Sequence, residues 1–471
     1  MPKYKGQVKL IYIDPPYNIG DDSFQYNDKF NHSTWLTFTK NRLLIAKSLL
    51  RQDGAIFVQI DHHEFAYLTI LLDEIFGREN KVQIISVKTS TPAGFKTVNP
   101  GPIDVTEYIL FYTKDKNNFK FKKAYVPVEY NKNYNKYVSF AENAKDWTFT
   151  PIKEAMLKSI GFSSEKEASK SYGSSLWSII RNGLISKFAY DNANNIISIR
   201  DPHKPTEHIK KLMELSKECS HVIEHSRNDG SKMYFYQGGV LAFYSDKMQN
   251  IDGKKEPTEL LTDFWNHISW AGIAKEGGVR LKNGKKPEKL IKQIIELSTD
   301  PEDLVLDYHL GSGTTAAVAM KMNRHFIGIE QLDYDKNDTT IRLTNVIQGE
   351  QGGISKSVNW QGGGSFVYCE LAKANAKYID EIEAANDEKT LAEIWERMKD
   401  SSLLSYKVAP MSIDPESNDF KDLSLDDKKR FLIACLDKNL LYVPYSDIES
   451  TEYGISDEDK RLNKLFYGTK E

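Results

Sequence analysis

The chain of 471 residues sets 63 basic against 66 acidic side chains, net charge −3, with 40% hydrophobic and 27% charged residues. Such a chain buries a sizeable core in two or three domains, and its composition excludes disordered and collagen-like classes. The three cysteines Cys219, Cys369 and Cys435 stand far apart with no CxxC pair, no stretch reaches membrane-spanning length, and "MPKYKGQVKL" lacks the apolar segment of a secretion signal, so a reducing cytoplasm and no membrane are expected.

In chain order, "VKLIYI" (8–13), "GAIFVQI" (54–60), "KVQIISV" (81–87) and "TEYILFY" (106–112) read as strands. Between the first two, "TWLTFTKNRLLIAKSLL" (34–50) has helical spacing, and "EFAYLTILLDEIF" (64–76) follows the second. The alternation predicts an α/β fold, a doubly wound, mostly parallel sheet with helices on both faces. From about 115 to 260 the alternation loosens into Tyr/Asn/Lys/Ser-rich segments, as an inserted domain would look. Within it, residues 116–160 carry nine lysines against four acids, interleaved with Tyr125, Tyr130, Tyr134, Tyr137 and Trp147. Basic charge mixed with aromatics suits a nucleic-acid surface, although a solvated face over ordinary core aromatics is the plainer reading of this window alone.

The α/β pattern returns at 286. "KPEKLIKQIIEL" places Pro287 near a helix start, and "DLVLDYHLGSGTTAAVAMKMNRHFIGIE" (303–330) reads as strand, glycine turn, helix, strand. Then "QGEQGGISKSVNWQGGGSF" reads as a glycine-rich connector, and an acidic, largely helical region of 15 basic and 22 acidic residues follows from 371. These readings divide the chain at 1–115, 116–260, 261–348 and 349–471.

Two loops carry candidate chemistry. In the later one, Gly311 and Gly313 follow a strand and precede a helix beginning near Thr314, where glycine lets a ligand approach the backbone and free N–H groups favour a polar or anionic one. Glu330 at the next strand's end is placed for ribose hydroxyls. "GSGTTA" meets the dinucleotide pattern, which NAD or FAD satisfies as well as S-adenosylmethionine, and glycines that merely turn the chain remain the structural alternative. In the earlier loop, "DPPY", Pro15 and Pro16 stiffen the turn and supply no N–H. The loop therefore offers acceptors, the Asp14 carboxylate and the Pro15 carbonyl, to an amino group with two donors, and Tyr17 offers a stacking face. Ligands of open α/β sheets sit at the carboxyl ends of the strands, so both loops are expected at one site.

With DPPY first, an insertion next and "DYHLGSGTT" last, the chain resembles the β class of DNA amino-methyltransferases. "FNHSTWLTF", "DEIFGREN", "GIEQ" and "GEQGGISKSVNWQGGGSF" resemble, more narrowly, the modification subunits of Type III restriction-modification systems. The resemblance implies a Rossmann-like methyltransferase fold in circularly permuted motif order, with a target-recognition insertion and a helical C-terminal region. It further implies adenine-specific DNA methylation in a bacterial cytoplasm, with S-adenosylmethionine as cofactor and direct transfer to the N6 amine of a flipped-out base.

On that resemblance Asp14, Pro15, Pro16 and Tyr17 are the expected catalytic residues. Asp307, Gly311, Ser312, Gly313, Thr314, Thr315 and Glu330 are expected around the cofactor, with Asp263 and Lys286 of "GKKPE" near it. The implied partners are double-stranded DNA, a second copy of this chain and a helicase-nuclease restriction subunit. Alternatives are methylation of the cytosine N4 amine, a subunit that mainly recognises DNA for a nuclease, and an NAD-linked oxidoreductase. Thirteen residues precede DPPY where family members carry a longer region, as in a shortened form. No metal is expected, the His62–His63 pair reading as surface and Asp61 as a strand-end acid.

Overall fold

The computed structural model describes residues 2–19, 32–91, 101–251, 253–280, 284–332, 334–370, 374–400 and 423–437, with a few isolated positions after them. The chain divides into two compact units, Met1–Phe366 and Val367–Glu471.

The first unit opens with β1 (Val8–Ile13), α1 (His32–Leu49), β2 (Leu50–Ile60), α2 (Phe65–Phe76), β3 (Lys81–Lys88) and β4 (Thr106–Thr113). All six residues of β1 are buried, as a continuous apolar run is in a strand covered on both faces. β2 starts directly after α1, earlier than its apolar stretch suggests: Leu50 already pairs with Val8 of β1, and Asp53 accepts from Arg51 and from Lys9. The segment "FNHSTWLTF" begins at 30 and 31, outside the described residues, and so does Gly20 at the end of the first loop.

The insertion contains β5 (Tyr125–Pro127), β6 (Lys136–Ser139), β7 (Thr148–Pro151), α3 (Ile152–Ser159), α4 (Glu165–Tyr172), α5 (Ser174–Asp191), β8 (Ile196–Arg200), α6 (Glu207–Glu218), β9 (Ile223–Ser226), β10 (Lys232–Tyr236), β11 (Gly239–Phe243), β12 (Met248–Ile251) and β13 (Lys254–Leu260). It builds a six-stranded sheet, β7-β6-β8-β11-β10-β9, and a three-stranded one, β12-β13-β5. β10 and β11 form a hairpin across Gln237 and Gly238, both with positive φ, the geometry that matches strand twist in two-residue turns. Tyr134 is buried against Tyr130 and Tyr244 in the core beneath α3 and α5, so these tyrosines of the basic window are core aromatics.

The chain then returns through β14 (Phe264–Trp265), α7 (Glu288–Ser298), β15 (Leu304–Asp307), α8 (Thr314–Lys321), β16 (His325–Gly328) and α9 (Thr339–Ile347). Among the described residues these complete a seven-stranded sheet of order β14-β3-β4-β2-β1-β15-β16, in which β4 alone runs antiparallel to its neighbours. Ile11 and Ile13 join a core with Trp35 and Leu72 of α1 and α2, whereas Leu10 and Tyr12 join one with Leu290 of α7 and Val318 of α8. Both faces are covered, and the fold is a doubly wound, mostly parallel α/β sheet. The stretch 349–366 belongs to this unit and packs on it: Ile354 is fully buried, and the Trp360 indole donates to the Val346 carbonyl at 2.8 Å.

The second unit contains α10 (Ala374–Ala384), α11 (Glu388–Asp400) and α12 (Leu425–Asp437), packed around Ile382, Ile394, Trp395 and Leu432. Residues 401–422 and most of 438–471 of the expected acidic helical region lie outside the described residues. Among the described residues no helix is long and apolar enough to cross a membrane.

Candidate active site

β1 and β15 are parallel neighbours, with Leu10 opposite Val305 and Ile11 opposite Leu306. Each ends in a loop at the same edge of the sheet, so the DPPY turn after Ile13 and the glycine turn after Asp307 stand side by side.

The first turn is held from below. Trp35 of α1, fully buried, donates its indole N–H to the Pro16 carbonyl at 2.8 Å, and Asn18 donates to the buried Glu64 carboxylate at 2.7 Å. Pro15 is buried. The Tyr17 hydroxyl lies 2.7 Å from Asp14 Oδ1 and 2.7 Å from Glu107 Oε2 of β4. Lys286 Nζ completes the group, 2.9 Å from Asp14 Oδ2 and 3.1 Å from the Tyr17 hydroxyl. Behind them, Gln59 donates to Glu107 Oε2 at 2.5 Å and accepts from the Tyr12 hydroxyl at 2.7 Å.

Burial pushes the Asp14 carboxyl above its usual range, with Lys286 pulling the other way. Burial acts likewise on Glu107, but there Lys286, Gln59 and Tyr17 outweigh it and hold that carboxyl low. Burial opposes the Lys286 charge too, and Asp14 and Glu107 more than offset it, raising the ammonium's pKa. The ammonium also stands 5.1 Å from the Tyr17 ring centre and 5.9 Å from that of Trp270, within reach of both aromatic faces.

The second turn is equally supported. Asp307 accepts from the Thr315 hydroxyl at 2.6 Å and the His309 N–H at 3.0 Å, and burial pushes its carboxyl up to about 7. Burial keeps His309 neutral, pushing it down to about 3. Gly313 has φ +77°, and an added Cβ would come within 2.7 Å of Thr339. Gly311 also has positive φ, but a Cβ there would meet open space, so this backbone is open to an approaching group. Glu330 accepts from the Gly311 N–H at 2.6 Å and from Gln331 and Leu332 N–H. Ser312, Thr314 and Thr315 are buried, and Arg342 of α9 donates to Thr314 Oγ1 at 2.7 Å and more loosely to Ser312.

Of the residues expected from sequence, the DPPY turn and Lys286 form one cluster, and Asp307, Gly311–Thr315 and Glu330 form its neighbour. Asp263 is not brought to either. It directly precedes β14, the edge strand five positions from β15, roughly 24 Å at about 4.8 Å per strand, and its side chain is exposed. Asp61 bonds to its own turn, accepting from the His63 N–H at 3.0 Å and meeting the ring Nδ1 at 2.7 Å, and both His62 and His63 are exposed. Glu107, Gln59, Trp35 and Arg342 escaped the sequence reading. Glu107 had one signal, a polar residue heading an apolar strand.

The family model described as "DNA methylase" matches residues 8–339. The chain is 39% identical to "Probable type III restriction-modification enzyme HindVI Mod subunit" of Haemophilus influenzae, the alignment covering 99% of this chain and 65% of that protein. It is 29% identical to "Type III restriction-modification enzyme EcoP15I Mod subunit" of Escherichia coli, over 68% of this chain and 53% of that protein. It thus spans roughly half to two-thirds of the length of these relatives. With the match running from β1 to the start of α9, across both turns and the insertion between them, the chain belongs to the DNA methylase family.

Proposed function

We propose that the protein methylates the exocyclic N6 amine of adenine in a specific DNA sequence, using S-adenosylmethionine, as part of a restriction-modification system. The observation that carries this reading is the juxtaposition of the two turns on adjacent parallel strands, an acceptor-rich one beside a glycine cradle. The residues of the second turn fit the cofactor: the Gly311 backbone is open, and Glu330 is an acceptor anchored by backbone N–H groups. Asp307, Ser312, Gly313, Thr314 and Thr315 would shape that cradle. When bound, the cofactor supplies an already activated methyl group.

The protein's own task is then alignment. An aromatic amine is a poor nucleophile because its lone pair is delocalised into the ring. Asp14 and the Pro15 carbonyl, by accepting its two hydrogens, would localise that pair on nitrogen and aim it, bringing reacting atoms to about 3–3.5 Å. Pro16 keeps the turn rigid, and Tyr17 stacks on a base rotated out of the duplex, offsetting part of the few kcal/mol that extrusion costs. Lys286 belongs with the acceptor turn by its contacts, and Asp263, on the far edge strand, is left without a role in holding the cofactor.

In this reading residues 1–115 and 261–348 form the catalytic fold, 116–260 select the DNA sequence, and 349–471 include contacts to partners. Those partners are double-stranded DNA, a second copy of the chain and a helicase-nuclease subunit, in a bacterial cytoplasm. The test is to express the chain in a methylation-free host and analyse its DNA nucleosides. N6-methyladenine is expected, and Asp14→Ala should lower transfer by at least about 10²–10³-fold while calorimetry still detects cofactor binding. N4-methylcytosine, or normal methylation by Asp14→Ala, would overturn the reading.

A further inference from the structure

Glu107 lies on the reversed strand β4, outside both sequence motifs, yet its carboxylate completes a row through the site. Tyr17 has one hydroxyl proton, and its oxygen lies 2.7 Å from a carboxylate oxygen on either side, Asp14 Oδ1 and Glu107 Oε2. It donates to one of them. A hydroxyl oxygen and an ionised carboxylate oxygen at that distance with no proton between them repel, so the row holds a second proton. Charge points the same way. Among the described residues, two carboxylates face one ammonium, Lys286 Nζ, at 2.9 Å from Asp14 and 3.6 Å from Glu107. With both carboxylates ionised, one buried negative charge is uncompensated, and such a group neutralises by binding a proton. The other groups facing the row are Gln59 of β2, Tyr12 of β1 and Asp307 of β15.

We propose that Asp14, Tyr17 and Glu107 form a charge-matching proton row, which in the free protein holds one proton beyond the Tyr17 hydroxyl's own, gives it up when the cationic methyl donor binds, and takes one back when the methyl group leaves. This rests on the methyl-transfer reading and adds a residue to it. The free row is neutral, one negative charge balanced by Lys286. With a sulfonium held by the neighbouring turn, the row without its extra proton, net −1, would be the favoured form and would leave Asp14 ionised to accept the amine. When the amine lone pair forms the N–C bond and the S–C electron pair stays on sulfur, nitrogen sheds a proton to Asp14, whose burial favours the protonated form, while Glu107 stays ionised beside Lys286 and accepts from Tyr17. One positive charge disappears from the cofactor and one negative charge from the row. Glu107 acts through Tyr17 and is therefore a positioning residue.

The test is isothermal calorimetry of the full chain in buffers of different ionisation enthalpy near neutral pH. S-adenosylmethionine should release about one proton on binding, and its neutral product S-adenosylhomocysteine about none. In Glu107→Gln the difference should vanish, because a neutral amide still accepts from Tyr17 but holds no proton. Tyr17→Phe, which keeps the ring and leaves both carboxylates facing Lys286, should keep the difference. Single-turnover methylation should slow at least about tenfold in each variant and no further in the double variant. Equal proton counts for the two ligands in the wild type would overturn the proposal. So would a release that persists in Glu107→Gln, which would trace the proton to Asp307. A wild type that binds neither ligand would instead sink the methyl-transfer reading itself.

Discussion

At the scale of single residues, Asp307 makes stability depend on pH. Burial pushes its carboxyl from an ordinary 3.8 up to about 7, so the folded state prefers the protonated form more than the unfolded state does. Its contribution is therefore fully present below about pH 4 and is lost as pH rises through about 7. At roughly 1.4 kcal/mol per unit, the total approaches about 4 kcal/mol. Asp307→Asn, neutral throughout, should show a flatter dependence, measured as denaturant midpoints of the cofactor-free protein at pH 5 and pH 8. Parallel slopes in the two proteins would remove Asp307 as the cause. The DPPY and glycine turns, with Asp14, Tyr17, Gly311 and Glu330, were legible in the sequence because each is a local motif whose backbone consequences follow from proline or glycine. Glu107 and Gln59 were not, since they reach the site from β4 and β2 through strand pairing. Trp35 reads as one more apolar helical position, and its bond to Pro16 depends on how α1 packs.

Between elements, a fully buried ion network joins parts that are distant in sequence. Glu288, at the start of α7, meets Arg342 of α9 at 2.8 Å and Lys321 of α8 at 2.7 Å, and Lys321 also meets Glu350. All three of Glu288, Lys321 and Arg342 are at most 4% exposed. The Ile354 N–H adds a bond to Glu288 at 3.0 Å, which is why a glycine-rich stretch that reads as a connector packs as part of the body. Burying charges in this way contributes less net stability than its contacts suggest, but removing one cation leaves a buried negative charge uncompensated. Arg342→Met should cost about 3–5 kcal/mol in denaturant unfolding of the cofactor-free protein. The exposed pair Lys210–Glu207 on α6, broken by Lys210→Ala, should cost under about 1 kcal/mol. A small loss at Arg342 would mean the network relaxes around the gap. The strands and helices of the catalytic half were legible because both faces of the sheet are covered and their apolar runs are long. The insertion's short, half-exposed strands carry no such runs, and its sheets appear only once pairing is known.

For the whole molecule, the division into Met1–Phe366 and Val367–Glu471 separates the two turns from the helical cluster around Trp395. If the second unit carries partner contacts, a chain ending at Phe366 should still methylate adenine in a methylation-free host while failing to co-purify with a helicase-nuclease subunit that binds the full chain. Retained association would move the partner surface into the first unit. The central pairing of the sheet has a further consequence. Leu10 pairs with Val305, about 295 positions away, so during synthesis at about 5–20 residues per second, β1 waits roughly 15–60 s for its neighbour. Throughout that interval one side of a strand apolar on both faces has no mate, and a newborn chain would be most open to chaperone capture or mispairing there.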